Sequence, residues 1–503
     1  MKNIIPTGLL GLIFLTVAAS ADTANKLPRA TPESQGISSA ALLPLLDEAE
    51  QRDLGLHGIM IVRHGRVVAE GWWSPYASTE PHMLFSLSKS FISTAIGMLQ
   101  ANGKLSIDDP VLKYFPEDAP AEPWKNLKEM RIRDLLIMST GQHQEDVDKI
   151  NIFAPDKTGT KQFLAAPVTH KPGTLFYYNS PATFMLSAII QKVSGKTVRD
   201  FLMPRLFEPL GIAQPDWDLT PQGYSHGASG LHMRTEDIAK FGQLYLQRGE
   251  WEGRRLLPAA WIDVATSRQA SNGSNPESDW DQGYGYQFWR CIPGFYRADG
   301  AHGQFCIVMP QYDTVVAINS GARDMGAIMK LIWRRLLPEL RPAAIPENPE
   351  AQAKLTERLA TLAITPQRGA ATSSLAAKTF GRRFTFDGSS ENRIALESAA
   401  LDKSSSGKIS LYVKMRGIEQ RVVVGQGQWT KGSFAFNPAG AVPVAVSGAW
   451  TDDTTYVVQL CQYQAPFTTT VQLHFAGDDV ILTTEQNVAN GPTKSPALTG
   501  HAK

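Results

Sequence analysis

Apolar positions along the chain change their rhythm several times. A helix-like stretch runs from Ser38 to Gln51. Two β-rich runs follow, Gly58-Ile59-Met60-Ile61-Val62-Arg63 and Arg66-Val67-Val68-Ala69-Glu70, separated by His64-Gly65. A two-residue turn ending in glycine between such runs predicts a hairpin. From Ser86 to about Gln100, residues Phe91, Ile92, Ala95, Ile96 and Leu99 mark one face of a helix, and Gly103 lies just past its end. The middle of the chain is interrupted by Pro204, Pro209, Pro215 and Pro221, with helices expected over Glu236 to Arg248 and Pro258 to Ser267. Strand signals return at Gly285 to Trp289, Gln304 to Val308 and Thr314 to Ile318. A helix carrying Ile328, Leu331, Ile332 and Leu336 then closes the unit.

Strands, many helices, strands and a last helix suit an α+β unit with an antiparallel sheet flanked by helices. The Pro-rich stretch from Pro338 to Pro349 reads as a linker, followed by one more helix from Ala351 to Leu362. Beyond Lys378 the pattern is all-β, as in Ile409-Ser410-Leu411-Tyr412-Val413-Lys414 and the β-branched run from Thr468 to Phe475. No repeat of fixed period is visible. The expected organisation is a leader at 1–21, a main domain at 22–340, a linker and helix at 341–376, and a C-terminal β-domain at 377–503.

The leader is read from Lys2, the short apolar run Leu9 to Ala19, and the small residues Ala19-Ser20-Ala21. These are the three parts of a secretory signal peptide cut before Asp22, so the expected location is periplasmic or extracellular. The apolar run is too short to span a bilayer and no later stretch is long enough, so stable membrane insertion is not expected.

At 503 residues, with 43% hydrophobic and 19% charged residues, the composition is that of a globular chain of two or three domains. The formal net charge of +1 points to neither nucleic acid nor an anionic surface. Cys291, Cys306 and Cys461 make no metal pattern, and the ten histidines are scattered, so no metal and no other cofactor is expected. Cys291 and Cys306 lie in or beside two strand-like segments, a placement that admits a disulfide or two free thiols. Cys461 reads as a buried strand residue.

One local pattern carries chemistry. Serine is a weak nucleophile without a nearby base. Residues three apart share a helix face, so Ser86 at a helix start brings Lys89 within reach of its hydroxyl. A desolvated lysine there has a lowered pKa and can take a proton, and helix N-terminal amides favour a developing oxyanion. S-x-x-K alone is a weak signal, for it recurs at Ser405-Ser406-Gly407-Lys408 in a polar loop. No G-x-S-x-G elbow and no HExxH occurs, and Ser194-Gly195-Lys196-Thr197 lacks the earlier glycine of a P-loop.

Phe85-Ser86-Leu87-Ser88-Lys89-Ser90 resembles the active-site motif of the penicillin-recognising serine hydrolases. Those include class C β-lactamases, D-Ala-D-Ala carboxypeptidases, lactamase-like esterases and nylon-oligomer-type amidases. Three further segments resemble family segments in the family's order: Leu105 to Val111, Ile132-Arg133-Asp134-Leu135-Leu136-Ile137-Met138-Ser139-Thr140-Gly141, and Gly230 to Phe241. The resemblance covers roughly residues 30 to 340 and implies a β-lactamase/transpeptidase-like fold for the main domain.

The family's Tyr-x-Asn motif maps to Tyr177-Tyr178-Asn179-Ser180. Spacing from Pro172-Gly173-Thr174 puts the tyrosine at Tyr178 with Ser180 third; the letters alone also allow Tyr177 with Asn179. The family's Lys-Thr-Gly motif is not Lys157-Thr158-Gly159, which comes too early in the chain. The positional match is Gly300-Ala301-His302-Gly303-Gln304, with Gly303 as the motif glycine, the Gln304 amide in the oxyanion hole and His302 beside substrate or merely structural. Ala301 then replaces the motif lysine, with Arg290 and Arg297 as other carriers of positive charge. The resemblance thus implies a serine hydrolase acting on an ester or amide through Ser86, Lys89 and Tyr178, with a small molecule or peptide as substrate. The missing lysine weighs against β-lactamase or D-Ala carboxypeptidase activity. An intact Ser86, Lys89 and Tyr178 weigh against a non-catalytic binding protein.

Overall fold

The computed structural model describes residues 26–388, 392 and 394–503. The signal peptide expected at 1–21 lies outside the described residues.

The main domain is built on a six-stranded antiparallel sheet. In chain order its elements are helix α1 (Ser39–Gln51), strands β1 (Leu56–Arg63) and β2 (Arg66–Trp72), helices α2 (Ser88–Ala101), α3 (Ser180–Ser194) and α4 (Thr235–Leu246), strands β3 (Trp289–Arg290), β4 (Tyr296–Gly300), β5 (Gln304–Met309) and β6 (Thr314–Ser320), and helices α5 (Met325–Leu331) and α6 (Pro349–Ala360). The strand order is β2-β1-β6-β5-β4-β3. The hairpin turn has His64 at φ 49° and Gly65 at φ 72°, the left-handed pair that a two-residue turn of this kind needs.

Both faces of the sheet are covered, so its central strands are buried on alternate sides. Met60, Val62, Val308 and Ala317 face a core shared with α2, α3 and α4, whereas Ile59, Ile61, Ile307 and Ile318 face a second core shared with α1, α5 and α6. This arrangement decides the cysteine question. Cys306 sits in the first core and Cys291 in the second, on opposite faces, and all three cysteines are free and buried thiols.

Two expectations for this region are corrected. Gly285 to Phe288 is not a strand; only Trp289–Arg290 is. Gln287 has φ 63° and turns its side chain inward, where Nε2 donates to the Leu135 and Leu136 carbonyls and Oε1 accepts from Thr183. A strand is present instead at β4, whose five residues are all buried despite Arg297 and Asp299. Residues 341–364 pack along the main domain: Arg341 N donates to Gly36 O, Ile345 N to Glu33 O, and Arg358 pairs with Asp47 and Glu50 beneath α1.

The C-terminal domain is one ten-stranded antiparallel sheet: β7 (Arg383–Phe386), β8 (Leu396–Lys403), β9 (Ile409–Met415), β10 (Ile418–Val424), β11 (Thr430–Asn437), β12 (Gly440–Trp450), β13 (Thr455–Cys461), β14 (Thr468–Ala476), β15 (Asp479–Gln486) and β16 (Leu498–Ala502). Its order is β10-β9-β8-β7-β16-β15-β14-β13-β12-β11, which curls into a barrel. The two edge strands are joined by one side chain. Gln420 on β10 donates from Nε2 to Ala435 O of β11 at 3.0 Å and accepts from Ala435 N at 2.6 Å, so its amide stands in for a backbone pair. Trp450, Tyr456, Phe384 and Phe475 pack together at one end of the interior.

The hairpin between β13 and β14 docks on the main domain. Met83 N donates to Gln464 O at 2.9 Å, Tyr76 OH to Ala465 O at 3.0 Å, and Glu80 accepts from Gln464 and Lys431, each at 2.8 Å.

Candidate active site

Ser86 stands on a single 3-10 turn, Phe85–Leu87, that leads into α2. Phe85 has φ 49°, an uncommon conformation for a residue with a Cβ, and such strain gathers where neighbours over-determine the backbone. Here the neighbours are plain. Leu84 N donates to Leu231 O, Ser88 Oγ donates to Phe85 O at 2.6 Å, and Leu231 N donates back to Ser88 Oγ. Helix α2 is buried from Ser88 through Leu99, which anchors the turn rigidly. Its small residues permit that depth; a Cβ on Gly97 would lie 2.6 Å from the indole of Trp261.

Lys89 is one helical turn on and fully buried. Its Nζ lies 3.1 Å from Ser86 Oγ, 3.1 Å from Ser180 Oγ and 2.7 Å from Ala228 O. Burial pushes its pKa down to about 7, partly opposed by the carboxylate of Asp299. The ring of Tyr178 lies 5.1 Å from the same Nζ, and its hydroxyl interacts with Ser86. Burial raises the Tyr178 pKa, so it is a neutral phenol with a proton to give.

The Tyr178 segment is held by the turn after Ile132–Leu136. Tyr177 N donates to Met138 O at 2.8 Å and Gly173 N to Ser139 O at 2.7 Å. Asn179 is the N-cap of α3: its Oδ1 accepts from Ala182 N, while Nδ2 reaches Thr140 and Gln142. Tyr177 points its hydroxyl toward Asp148 on the surface. The geometry therefore brings Tyr178 and Ser180, rather than Tyr177 and Asn179, to Ser86 and Lys89. Lys157-Thr158-Gly159 is elsewhere, with Thr158 capping the helix Gly159–Ala165.

The strand beside the nucleophile turn is β4, and this corrects the reading of Gly303 and Gln304. A Cβ on Gly300 would meet Leu84 O at 2.0 Å and Phe85 Cβ at 3.1 Å, so Gly300 is the glycine that lets backbone press on the turn. A Cβ on Gly303 would instead meet Ser320 Oγ at 2.2 Å and Ile328 Cδ1 at 3.0 Å, toward α5. Gln304 is the cross-strand partner of Gly300 and is fully buried. Its amide side chain donates to Ala301 O and Ser320 O and accepts from Asn319 and Ser320 N, which makes it a brace for the turn.

Two residues along this wall were not foreseen. Asp299 faces Lys89 and Tyr178 and is paired with Arg297 at 2.8 Å; both are buried. Burial raises the Asp299 pKa, and the guanidinium opposes that rise. Arg297 also donates to Asp279 O and Arg290 O and lies over the rings of Trp280 and Trp289. Arg290 donates to Thr266 O and Gly294 O. Arg297 is fully buried with its charge paired to Asp299, and Arg290 is held by two backbone carbonyls. The second unforeseen residue is Phe467, from the barrel hairpin, which meets Phe85 with centroids 6.1 Å apart.

His302 completes this wall. It has φ 64° and packs edge-on against Phe85 at 5.4 Å. Its Nε2 is buried without a hydrogen-bond partner, and burial lowers its pKa. Among the described residues no group of three or more His, Cys, Asp or Glu side chains is arranged to hold a metal ion.

A serine, a lysine of lowered pKa and a neutral tyrosine at one hydroxyl form a proton-transfer unit around a nucleophile. The Beta-lactamase family profile matches residues 29–336. The chain is similar to the 6-aminohexanoate-dimer hydrolase of Paenarthrobacter ureafaciens, 25% identical over 311 residues that cover 57% of this chain and 78% of that one. It is 27% identical over 213 residues to penicillin-binding protein 4 of Amycolatopsis lactamdurans, covering 35% of this chain and only 55% of the relative. A solved Bacillus anthracis structure, a candidate 6-aminohexanoate-dimer hydrolase, superposes with a TM-score of 0.53 at 20% identity, over 64% of this chain and 89% of that one, and so shares its fold. The matched segment takes in the strained turn, Lys89, Tyr178 and the whole six-stranded sheet, and on that ground the chain belongs to the Beta-lactamase family.

Proposed function

We propose that this protein is an exported serine hydrolase that cleaves an ester or amide bond through an acyl-enzyme on Ser86. The observation that carries the reading is Lys89 Nζ 3.1 Å from Ser86 Oγ, with the buried Tyr178 ring 5.1 Å from the same Nζ. Neutral Lys89 takes the Ser86 proton as Oγ attacks the carbonyl carbon. Tyr178 relays a proton to the leaving alcohol or amine. Water then attacks the acyl-enzyme and the acid departs. The Ser86 amide and the amide that follows Gly300, that of Ala301, are the donors for the oxyanion, because Gly300 is the residue pressed against the nucleophile turn.

The substrate is a small molecule or peptide without an obligatory carboxylate. The end of β4 reads Ala298-Asp299-Gly300, with no cation, and the buried Arg297 is paired with Asp299. The similarity to a hydrolase named for the 6-aminohexanoate dimer, whose subunits are joined by an amide, supports amides as well as esters. Export rests on the leader pattern at 1–21, and N-terminal sequencing of the secreted protein tests it: a mature chain beginning at Asp22 is expected.

Activity-based labelling tests the chemistry. A fluorophosphonate probe is expected to label the protein, and Ser86→Ala to abolish the label. Absence of any Ser86-dependent label, by this probe or by a labelled penicillin, would leave a binding protein on the same fold. Penicillin labelling with slow release would make it a penicillin-binding protein. Turnover of p-nitrophenyl esters against D- and L-peptide amides then separates esterase from amidase.

A further inference from the structure

The barrel interior is not filled. Its inward-facing side chains enclose a cavity of about 270 Å³. An apolar cavity of roughly 150 Å³ already takes benzene, and barrels of this size commonly hold one small ligand. Leu411, Val413, Phe434, Val471 and Leu482 supply the walls, and none of the described lining residues is charged. Trp450, Tyr456 and Phe475 are buried in the interior core, whereas Met415, Phe436 and Val471 stay partly exposed although they face it.

One observation inside the cavity points to a ligand. Thr469 lines it and is about nine-tenths buried, yet its Oγ1 has no hydrogen-bond partner. A buried hydroxyl left alone is costly, and a guest that bonds it removes the cost. Thr484, Gln486, Thr493 and Ser495 bring neutral hydrogen-bonding groups to the same lining.

We propose that the barrel is a binding site for one neutral aliphatic chain, of the fatty-acyl ester or amide class, whose polar group bonds Thr469. The walls match methylene groups by burial alone. With no charged side chain among the described lining residues, the site selects against a carboxylate head, which would be desolvated without a cation. This site is separate from Ser86 and does not depend on the hydrolytic reading.

The test is a fluorescence titration of the full chain with N-phenyl-1-naphthylamine, in Ser86→Ala so that no turnover consumes the competitor. Saturable enhancement at one probe per chain is expected. Methyl dodecanoate should displace the probe, and dodecanoate at neutral pH should do so at least tenfold less well. Val471→Phe and Thr484→Phe narrow the cavity from neighbouring strands and should each weaken the probe at least tenfold. The same two substitutions with Ser86 intact should still take the fluorophosphonate label, which shows that the chain is folded; whichever of them does is the informative variant. The proposal is overturned by the lack of saturable binding, by binding that such a folded, narrowed variant leaves unchanged, or by dodecanoate competing as well as its ester.

Discussion

The ring of Phe467 meets the ring of His302 edge-on, with centroids 5.8 Å apart. Phe467 belongs to the barrel and His302 to the turn after β4, so the two domains share one wall beside the nucleophile. Phe85, the strained residue before Ser86, touches both rings. The C-terminal domain is therefore part of the cleft.

Phe467→Ala removes the barrel's part of that wall while leaving Ser86, Lys89 and Tyr178 in place. Aromatic contacts of this kind are worth about 0.5–1.5 kcal/mol beyond their burial. The expected result is a rise of about tenfold in KM with kcat changed less, since the contact acts on bound substrate and not on proton transfer. Steady-state kinetics on the best p-nitrophenyl ester checks it; an equal fall in kcat with unchanged KM would contradict a role in binding.

The pH profile follows from Lys89. The reactive form is the neutral amine, and burial holds its pKa at about 7. The acid limb of kcat/KM should thus rise with pH and level off above about 7. The burial of this lysine also links stability to pH with a definite sign. Its folded pKa lies below the unfolded one, so between about 7 and the ordinary lysine range the unfolded chain binds more protons. Stability then gains from this group as pH rises through that window. Lys89→Met should abolish the kinetic limb and lower kcat by about 10²–10⁴-fold, the range for loss of a general base. A limb centred near 10 in the unmodified enzyme would exclude Lys89 as a base of lowered pKa.

Much of this was legible in the sequence, and the failures share a cause. The hairpin at His64-Gly65, helix α2 and the late strands β5 and β6 follow from apolar periodicity, which is a property of adjacent residues. Strand β4 was missed because Arg297 and Asp299 interrupt its apolar run. The polarity that hid it is satisfied internally: each charge finds its partner two residues away on the same strand. Losing β4 shifted the expected motif glycine from Gly300 to Gly303, three residues along. Phe467 had no local signal at all. Its place at the cleft depends on how a hairpin 381 residues from Ser86 docks, and only the fold decides that.

Gly300→Ala tests the corrected register. The added Cβ would stand 2.0 Å from Leu84 O, a backbone atom that cannot swing aside. The turn must shift, and the oxyanion amides with it. A loss of at least about 10²-fold in kcat is expected, the size seen when an oxyanion donor is removed. Ser86 should still react with fluorophosphonate, but slowly. The measurement is the second-order labelling rate, compared with Gln304→Leu, which keeps Gly300 in place and should cost mainly thermal stability.

Acid should loosen the junction of the two domains through His57 and His82. Their rings are buried side by side, with Nδ1 of His57 3.1 Å from Nε2 of His82, and Tyr76 stacks on His57 at 3.8 Å. Burial lowers both pKa values, that of His82 to about 4. A histidine kept neutral on folding binds fewer protons than it does unfolded. Its contribution is therefore complete above the unfolded pKa near 6.5 and declines as pH falls toward 4. For a shift of this size the loss is about 3 kcal/mol for His82. The same pair adjoins the barrel hairpin: Tyr76 OH bonds Ala465 O, and Met83, next to His82, bonds Gln464 O. Protonation there pushes charge into a packed junction where the charges acting on the pair are those of other histidines. The thermal midpoint should fall steeply between pH 6.5 and 4.5, and His82→Gln, which keeps a hydrogen-bonding side chain but does not titrate, should flatten that fall. Equal slopes for the two proteins would show that the acid sensitivity lies elsewhere.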